Sequence, residues 1–240
     1  MAQGMSRRYL AEFVGTFGIV FAPVALSGTV NSPGADGSLI AAALVSGLAV
    51  LAMISAFGPV SAAHFNPAVT LGFTIAGRFP ARFLLQYWAS QFLGGFGAAF
   101  ICAIFFGAGH GTHVPTVEPI RAVALEAVLT FLLMLVIIAV ATDRRVDGAL
   151  PAISIGLTVV MNVLIGGPIT GGSMNPARSL GPAVFSGGAA LSSYWIYIAG
   201  PMIGASVAAR LFEVIRGGQD HAHGAPNELF EALEEVGRTG

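Results

Sequence analysis

Apolar residues run in long stretches separated by short polar or glycine-bearing breaks, and six of these stretches are long enough to cross a lipid bilayer: 9–30, 39–57, 83–106, 123–141, 150–165 and 194–212. Two further apolar segments, 68–76 and 177–185, are too short, because a helix needs about 20 apolar residues to span. Each short segment follows the same tripeptide, Asn66-Pro67-Ala68 and Asn175-Pro176-Ala177. Asn caps backbone N–H groups at a helix start, and Pro is tolerated at the first helical position because it has no N–H to lose. The pattern therefore predicts six spanning helices and two half-helices, each beginning at its Asn-Pro.

Composition agrees. Of 240 residues, 55% are hydrophobic and 10% charged, with a mean hydropathy of +0.79, which places the chain among integral membrane proteins. Nearly the whole length is committed to one all-α membrane domain, so no soluble catalytic domain remains. Glycines are scattered through the spans, as expected where helices pack closely in lipid. All 11 basic residues are Arg. An even number of spans puts both termini on one side, together with Arg7, Arg8, Arg78, Arg82, Arg144, Arg145, Arg210, Arg216 and Arg238, against Arg121 on the other. The positive-inside rule makes the termini cytoplasmic. The apolar run after Arg7-Arg8 is too long for a signal peptide and has no A-x-A cleavage site, so it reads as the first span. Cys102 is the lone cysteine, which rules out an intrachain disulfide or a cysteine metal cluster. The chain ends in a polar, acidic tail, 214–240, with Glu228, Glu231, Glu234 and Glu235; its His221 and His223 read as solvated rather than metal-binding.

The two Asn-Pro-Ala copies belong to a duplication. Glu12 lies in the first span and Glu126 in the fourth, and the Glu12-to-Asn66 and Glu126-to-Asn175 intervals are 54 and 49 residues. With three spans in each half, the second copy inserts upside down, which brings the half-helices in from opposite faces with their Asn residues meeting near the midplane. The segments 58–65 and 166–174 are expected to be the irregular backbone that this arrangement tolerates only when buried or lining a cavity. A carboxylate at membrane depth is expensive. Two readings are open for Glu12 and Glu126: proton-coupling groups of a transporter, or anchors for the irregular backbone of their own halves, and their matched placement favours the anchor. Arg178, three residues past Asn175, faces the same way as that Asn and puts a fixed cation at the pore; its alternative is a folding role paired with Glu12 or Glu126.

These residues resemble the major intrinsic proteins, the aquaporins and aquaglyceroporins, over about residues 5 to 213, with repeats at about 5–107 and 119–213. His64-Phe65-Asn66-Pro67-Ala68-Val69-Thr70 and the run from Gly172 to Ala183 look like the family's two signature loops, and Glu12 and Glu126 match its paired glutamates. The resemblance implies an aquaporin-like fold: six transmembrane helices and two half-helices in an inverted 3+3 repeat. It also implies a homotetramer with one pore per subunit in the plasma or inner membrane, no cofactor and no metal. Asn66 and Asn175 would donate hydrogen bonds to water at the pore centre. Exclusion of protons and cations by half-helix dipoles and an Arg is the accepted argument for aquaporins themselves.

Family selectivity is set by a four-residue outer constriction, which maps by distance from the motifs to Ser46, Val163, Gly172 and Arg178. A one-residue shift would substitute Val45 or Gly47 for Ser46. Water-selective members have Phe and His at the first two sites, and glycerol facilitators a Trp and a Phe in the ring; this chain matches neither. Ser, Val and Gly leave a wide opening suited to glycerol, urea and undissociated arsenous, boric or silicic acid. The run from Thr170 through Pro182, with Tyr197-Ile198, looks like the plant nodulin-like intrinsic proteins and their bacterial relatives. Ser179, where glycerol facilitators carry Asp, occurs in water channels and nodulin-like members alike. His64 is expected to support its loop and line the cytoplasmic vestibule, with gating as the alternative. His110 and His113, in the external loop, read as solvated rather than as a pH or metal sensor. A water-selective channel, a secondary transporter, a junction protein and a membrane-embedded enzyme with Ser173 as nucleophile and His64 as base are the competing readings; the last lacks a carboxylate to orient its histidine and has no metal-ligand cluster.

Overall fold

The computed structural model describes residues 2–30, 38–142, 146 and 148–216. Arg144, Arg145 and the tail residues His221, His223, Glu228, Glu231, Glu234, Glu235 and Arg238 lie outside the described residues. The described residues form helices α1 (Ala2–Val30), α2 (Leu39–Ser61), α3 (Pro67–Ile75), α4 (Leu84–Phe106), α5 (Pro119–Thr142), α6 (Leu150–Thr170), α7 (Pro176–Ser186), α8 (Gly188–Ser192) and α9 (Ile196–Arg216), with a 3-10 turn at Ala81–Phe83 leading into α4. Six of them, counting short lead-in turns, are long and apolar enough to cross a membrane. Many exposed side chains on these helices, such as Leu10, Leu85, Ile104 and Ile120, are large and apolar, the surface a lipid solvent calls for.

Packing follows the duplication. α1 lies against α4, and α5 lies against α9 in the corresponding place, while α2 and α6 join the halves. Glycine sets both close approaches. A Cβ on Gly94 of α4 would lie 2.3 Å from the Phe13 carbonyl oxygen, and one on Gly204 of α9 would lie 2.1 Å from that of Ala127; each carbonyl immediately follows a buried glutamate. Small residues allow such backbone contact in lipid, and a larger one must push the helices apart. Gly204→Val is therefore expected to destabilise the protein by about 1–3 kcal/mol, the usual cost of overpacking, or more. Thermal unfolding in detergent tests this, and an unchanged transition would mean the contact is not tight.

One expectation is corrected. The irregular backbone before each motif is shorter than 58–65 and 166–174, because α2 continues through Ser61 and α6 through Thr170. Pro59 and Pro168 fall within the final turns, where a missing N–H costs one rung of a ladder that is about to end. Ala62 N–H then closes on the Gly58 carbonyl, and Gly171 N–H on those of Gly166 and Gly167. Only the residues between these caps and the motif asparagines are irregular, and there Ala62, Ala63, Phe65, Gly171, Gly172 and Met174 all take positive φ. The half-helices begin at the motif prolines, as the capping argument requires.

A candidate permeation site

Both motif asparagines cap their helices from extended backbone. Asn66 Oδ1 accepts from Ala68 N–H at 2.9 Å, and Asn175 Oδ1 accepts from Ala177 N–H at 2.9 Å and Arg178 N–H at 3.4 Å. Their amide nitrogens cross between the halves: Asn66 Nδ2 donates to the Met174 carbonyl at 2.8 Å and Asn175 Nδ2 to the Phe65 carbonyl at 2.9 Å. An amide carries two N–H donors. One fixes each side chain to the opposite loop, and both residues line a common cavity, so the second is available to a molecule inside it.

The loops that present these residues hang on the paired glutamates. Glu12 Oε1 accepts from Ser61 Oγ at 2.7 Å and His64 N–H at 3.0 Å, and its Oε2 accepts from Phe65 N–H at 2.7 Å and Gln91 Nε2 at 2.8 Å. Glu126 Oε1 accepts from Thr170 Oγ1 at 2.7 Å and Ser173 N–H at 3.0 Å, and its Oε2 accepts from Met174 N–H at 2.8 Å. Tyr87 and Tyr197 complete the match, donating to the carbonyls of Ser61 at 3.0 Å and Thr170 at 2.7 Å. The helix-end hydroxyls of Ser61 and Thr170, with Gln91, Tyr87 and Tyr197, are supporting residues that the sequence reading did not assign. A signal existed: Ser61 and Thr170 each stand five residues before the motif asparagine.

The cavity has a volume of about 420 Å³. Its lining includes Phe73, Leu133, Ile137 and Val159 together with His64, and Ser46, Val163, Gly172 and Arg178 line the same cavity. Ser46 is a lining residue whereas Gly47 faces α6, where a Cβ would lie 2.4 Å from the Gly156 carbonyl oxygen. Gly172 has φ +61°, and a Cβ there would reach 3.3 Å from Val163 Cα. His64 packs face to face with Phe73 at 4.7 Å between ring centres, and its Nδ1 lies 3.2 Å from Thr70 Oγ1. Ser173 Oγ is held by Ser179 and by the Asn175 carbonyl, not by a histidine.

Arg178 lines the cavity without the glutamate partner that its alternative reading requires, and His113 differs from expectation. Arg178 Nη1 meets the ring of His113 at Nε2, so its hydrogen-bond partner is neither Glu12 nor Glu126. His113 is not solvated: it is 5% exposed, reaches in from the loop after α4, and places Nδ1 2.9 Å from Ser179 Oγ. The sequence places that loop outside the membrane but does not show that it folds back. His110 stays near the helix end, with Nε2 3.0 Å from the Phe106 carbonyl.

Known proteins fit this geometry. Residues 2–212 match the family model for the major intrinsic protein. The chain is 42% identical over 214 residues to Aquaporin NIP1-1 of Zea mays, covering 88% of this chain and 75% of that protein. It is 39% identical over 212 residues to Aquaporin NIP6-1 of Arabidopsis thaliana, covering 88% and 69%. The fold is shared with the X-ray structure of the aquaglyceroporin from Plasmodium falciparum, with a TM-score of 0.80 at 23% identity over 88% of this chain and 97% of that one. Matched to the family model over nearly all of its membrane-spanning length, with two half-helices meeting asparagine to carbonyl inside a duplicated bundle, the chain belongs to the major intrinsic protein family.

Proposed function

We propose that Ser46, Val163, Gly172 and Arg178 form the selectivity filter, and that it admits small uncharged polyhydroxyl solutes, from glycerol and urea to arsenous, boric or silicic acid. As an aquaporin-family protein the chain is a multi-pass membrane channel for water and small neutral solutes such as glycerol, not an enzyme. The observation that carries the finer reading is that these four residues line one cavity and none of them is aromatic. A mostly apolar lining that also presents a few hydrogen-bonding groups suits a small molecule carrying both carbon and hydroxyls. The homotetramer, the plasma or inner membrane and the cytoplasmic termini belong to the same proposal. So do the repeats at about 5–107 and 119–213 and a cytoplasmic tail from about 214. Family likeness supports the assembly, and the clustering of Arg7, Arg78, Arg82, Arg210 and Arg216 opposite Arg121 supports the orientation.

Stopped-flow light scattering on proteoliposomes tests the filter, comparing shrinkage in an impermeant osmolyte with re-swelling in glycerol, urea and arsenous acid. Rapid re-swelling is expected. Ser46→Trp should cut glycerol flux by roughly tenfold or more while sparing water, since filling the ring excludes the larger solute first. Equal losses for both would remove Ser46 from the filter. A second reading, a water-selective channel, draws on His113, whose ring packs on Arg178 beside the filter. Fast shrinkage without re-swelling in the wild type would select it.

A further inference from the structure

His113 meets Arg178 Nη1 most closely at Nε2, with Nδ1 3.4 Å from the same atom, and meets Ser179 Oγ at Nδ1, and only one form of its neutral ring satisfies the two nearer contacts together. Arginine has donors and no acceptor, so the nitrogen facing Arg178, Nε2, must accept. The proton of a neutral ring then sits on Nδ1, which donates to Ser179 Oγ at 2.9 Å. That direction propagates. Ser179 Oγ lies 2.5 Å from Ser173 Oγ and its hydroxyl hydrogen is free to donate there; Ser173 Oγ donates in turn to the Asn175 carbonyl at 3.0 Å. A single chain of donors thus runs from the loop after α4 to the first residue of the second motif, with Arg178 attached at its outer end.

We propose that His113 is the positioning residue for Arg178, and that it holds the guanidinium against the cavity wall only as the neutral imidazole, so that acid releases the arginine and changes solute flux. The inference rests on the filter role of Arg178. Protonation at Nε2 sets donor against donor and cation against cation at the one atom that Arg178 requires. No carboxylate contacts the ring to offset that charge: Tyr197 of α9 has its ring centre 5.3 Å away and its hydroxyl committed to the Thr170 carbonyl, and Gly171 at the end of α6 has no side chain. Glu126 of α5 spends three of its acceptor sites on Thr170, Ser173 and Met174 and makes no hydrogen bond to the ring. Burial and the Arg178 charge hold the His113 ring well below the ordinary imidazole range, so the neutral form and its bonds persist at neutral pH and are lost only on acidification.

The test is glycerol and water flux in proteoliposomes buffered alike on both sides, from about pH 7.5 down to about pH 4, for the wild type, His113→Asn, His113→Ala and Arg178→Val. Asn can accept and donate but does not titrate. A change of about threefold or more in the wild-type glycerol-to-water ratio at acid pH, absent in His113→Asn, is the expected result. A flat wild-type profile, together with a His113→Ala protein whose glycerol-to-water ratio at neutral pH equals the wild type's, overturns the proposal, because the ring then neither holds Arg178 nor releases it. An acid response that survives in His113→Asn also overturns it and moves the titration to another group, of which His64 on the cavity wall is the candidate. If instead Arg178→Val keeps wild-type selectivity at neutral pH, the filter reading itself has failed, which the His113 profiles would not by themselves reveal.

Discussion

Replacing Glu12 with Ala is expected to abolish the folded protein rather than to alter its transport. The substitution leaves Ser61 Oγ and the His64 and Phe65 amides without their acceptor and strips one of the two N–H groups of Gln91 Nε2, whose other bond goes to Thr70 Oγ1, all of them buried. A buried donor stripped of its partner costs about 1–3 kcal/mol, more when the lost partner is charged. Four such losses approach the whole stability of a typical domain, about 5–15 kcal/mol. Glu126→Ala removes the acceptor for three donors and should do nearly as much. Glu12→Gln separates the anchor from a proton-coupling role. It keeps one oxygen and turns the other into an N–H pointing at the Phe65 amide, so the anchor role predicts a lower unfolding temperature and less purified protein, with no proton dependence of flux. A coupling role predicts a stable protein that has lost proton-linked transport. A Glu12→Ala protein that melts like the wild type would sink the anchor reading.

Sequence reading went furthest where one residue type has one physical use. Asn-Pro marks a helix start wherever it stands, a glutamate amid apolar residues requires partners, and apolar length counts spans; α3, α7, the paired glutamates and the six long helices all followed. Other features depend on what two distant segments do to each other. That Asn66 donates to Met174 and Asn175 to Phe65 is a property of the inverted assembly, since neither loop alone contains both groups. The sequence predicts irregular backbone from Gly58 and Gly166 onward, yet the prolines that follow, Pro59 and Pro168, stand in last turns where a missing N–H forfeits little, and both helices run on to a hydroxyl that the glutamate needs. His113 was hardest to read. Nothing in Gly111-Thr112-His113-Val114-Pro115 distinguishes a loop in water from one folded into the mouth of a cavity, and the cause lies at Gly171: a side chain there would collide with the His113 ring, at 2.4 Å from Cδ2. The space for the histidine is made 58 residues further along the chain.

Arg178→Val should raise proton and cation leakage by one to three orders of magnitude, the larger figure coming from the loss of one fixed charge. Two unit charges about 4 Å apart repel by about 4 kcal/mol at an effective dielectric of about 20, which corresponds to about a thousandfold in occupancy. Water in the cavity screens the interaction, and the N-terminal dipoles of α3 and α7 remain to oppose cations, so the smaller figure is the floor. Valine also shortens the side chain and strands His113 Nε2, so widening alone would let larger neutral solutes pass. The two effects separate in a second variant. Arg178→Lys keeps the charge but loses the planar fork that meets His113. If charge excludes cations, Arg178→Lys liposomes loaded with a pH-sensitive dye should collapse an imposed proton gradient as slowly as the wild type, while Arg178→Val liposomes collapse it fast. Equal leakage in both variants would assign the exclusion to the shape of the guanidinium held by His113, and a wild-type rate in Arg178→Val would leave it to the asparagines and the half-helix dipoles.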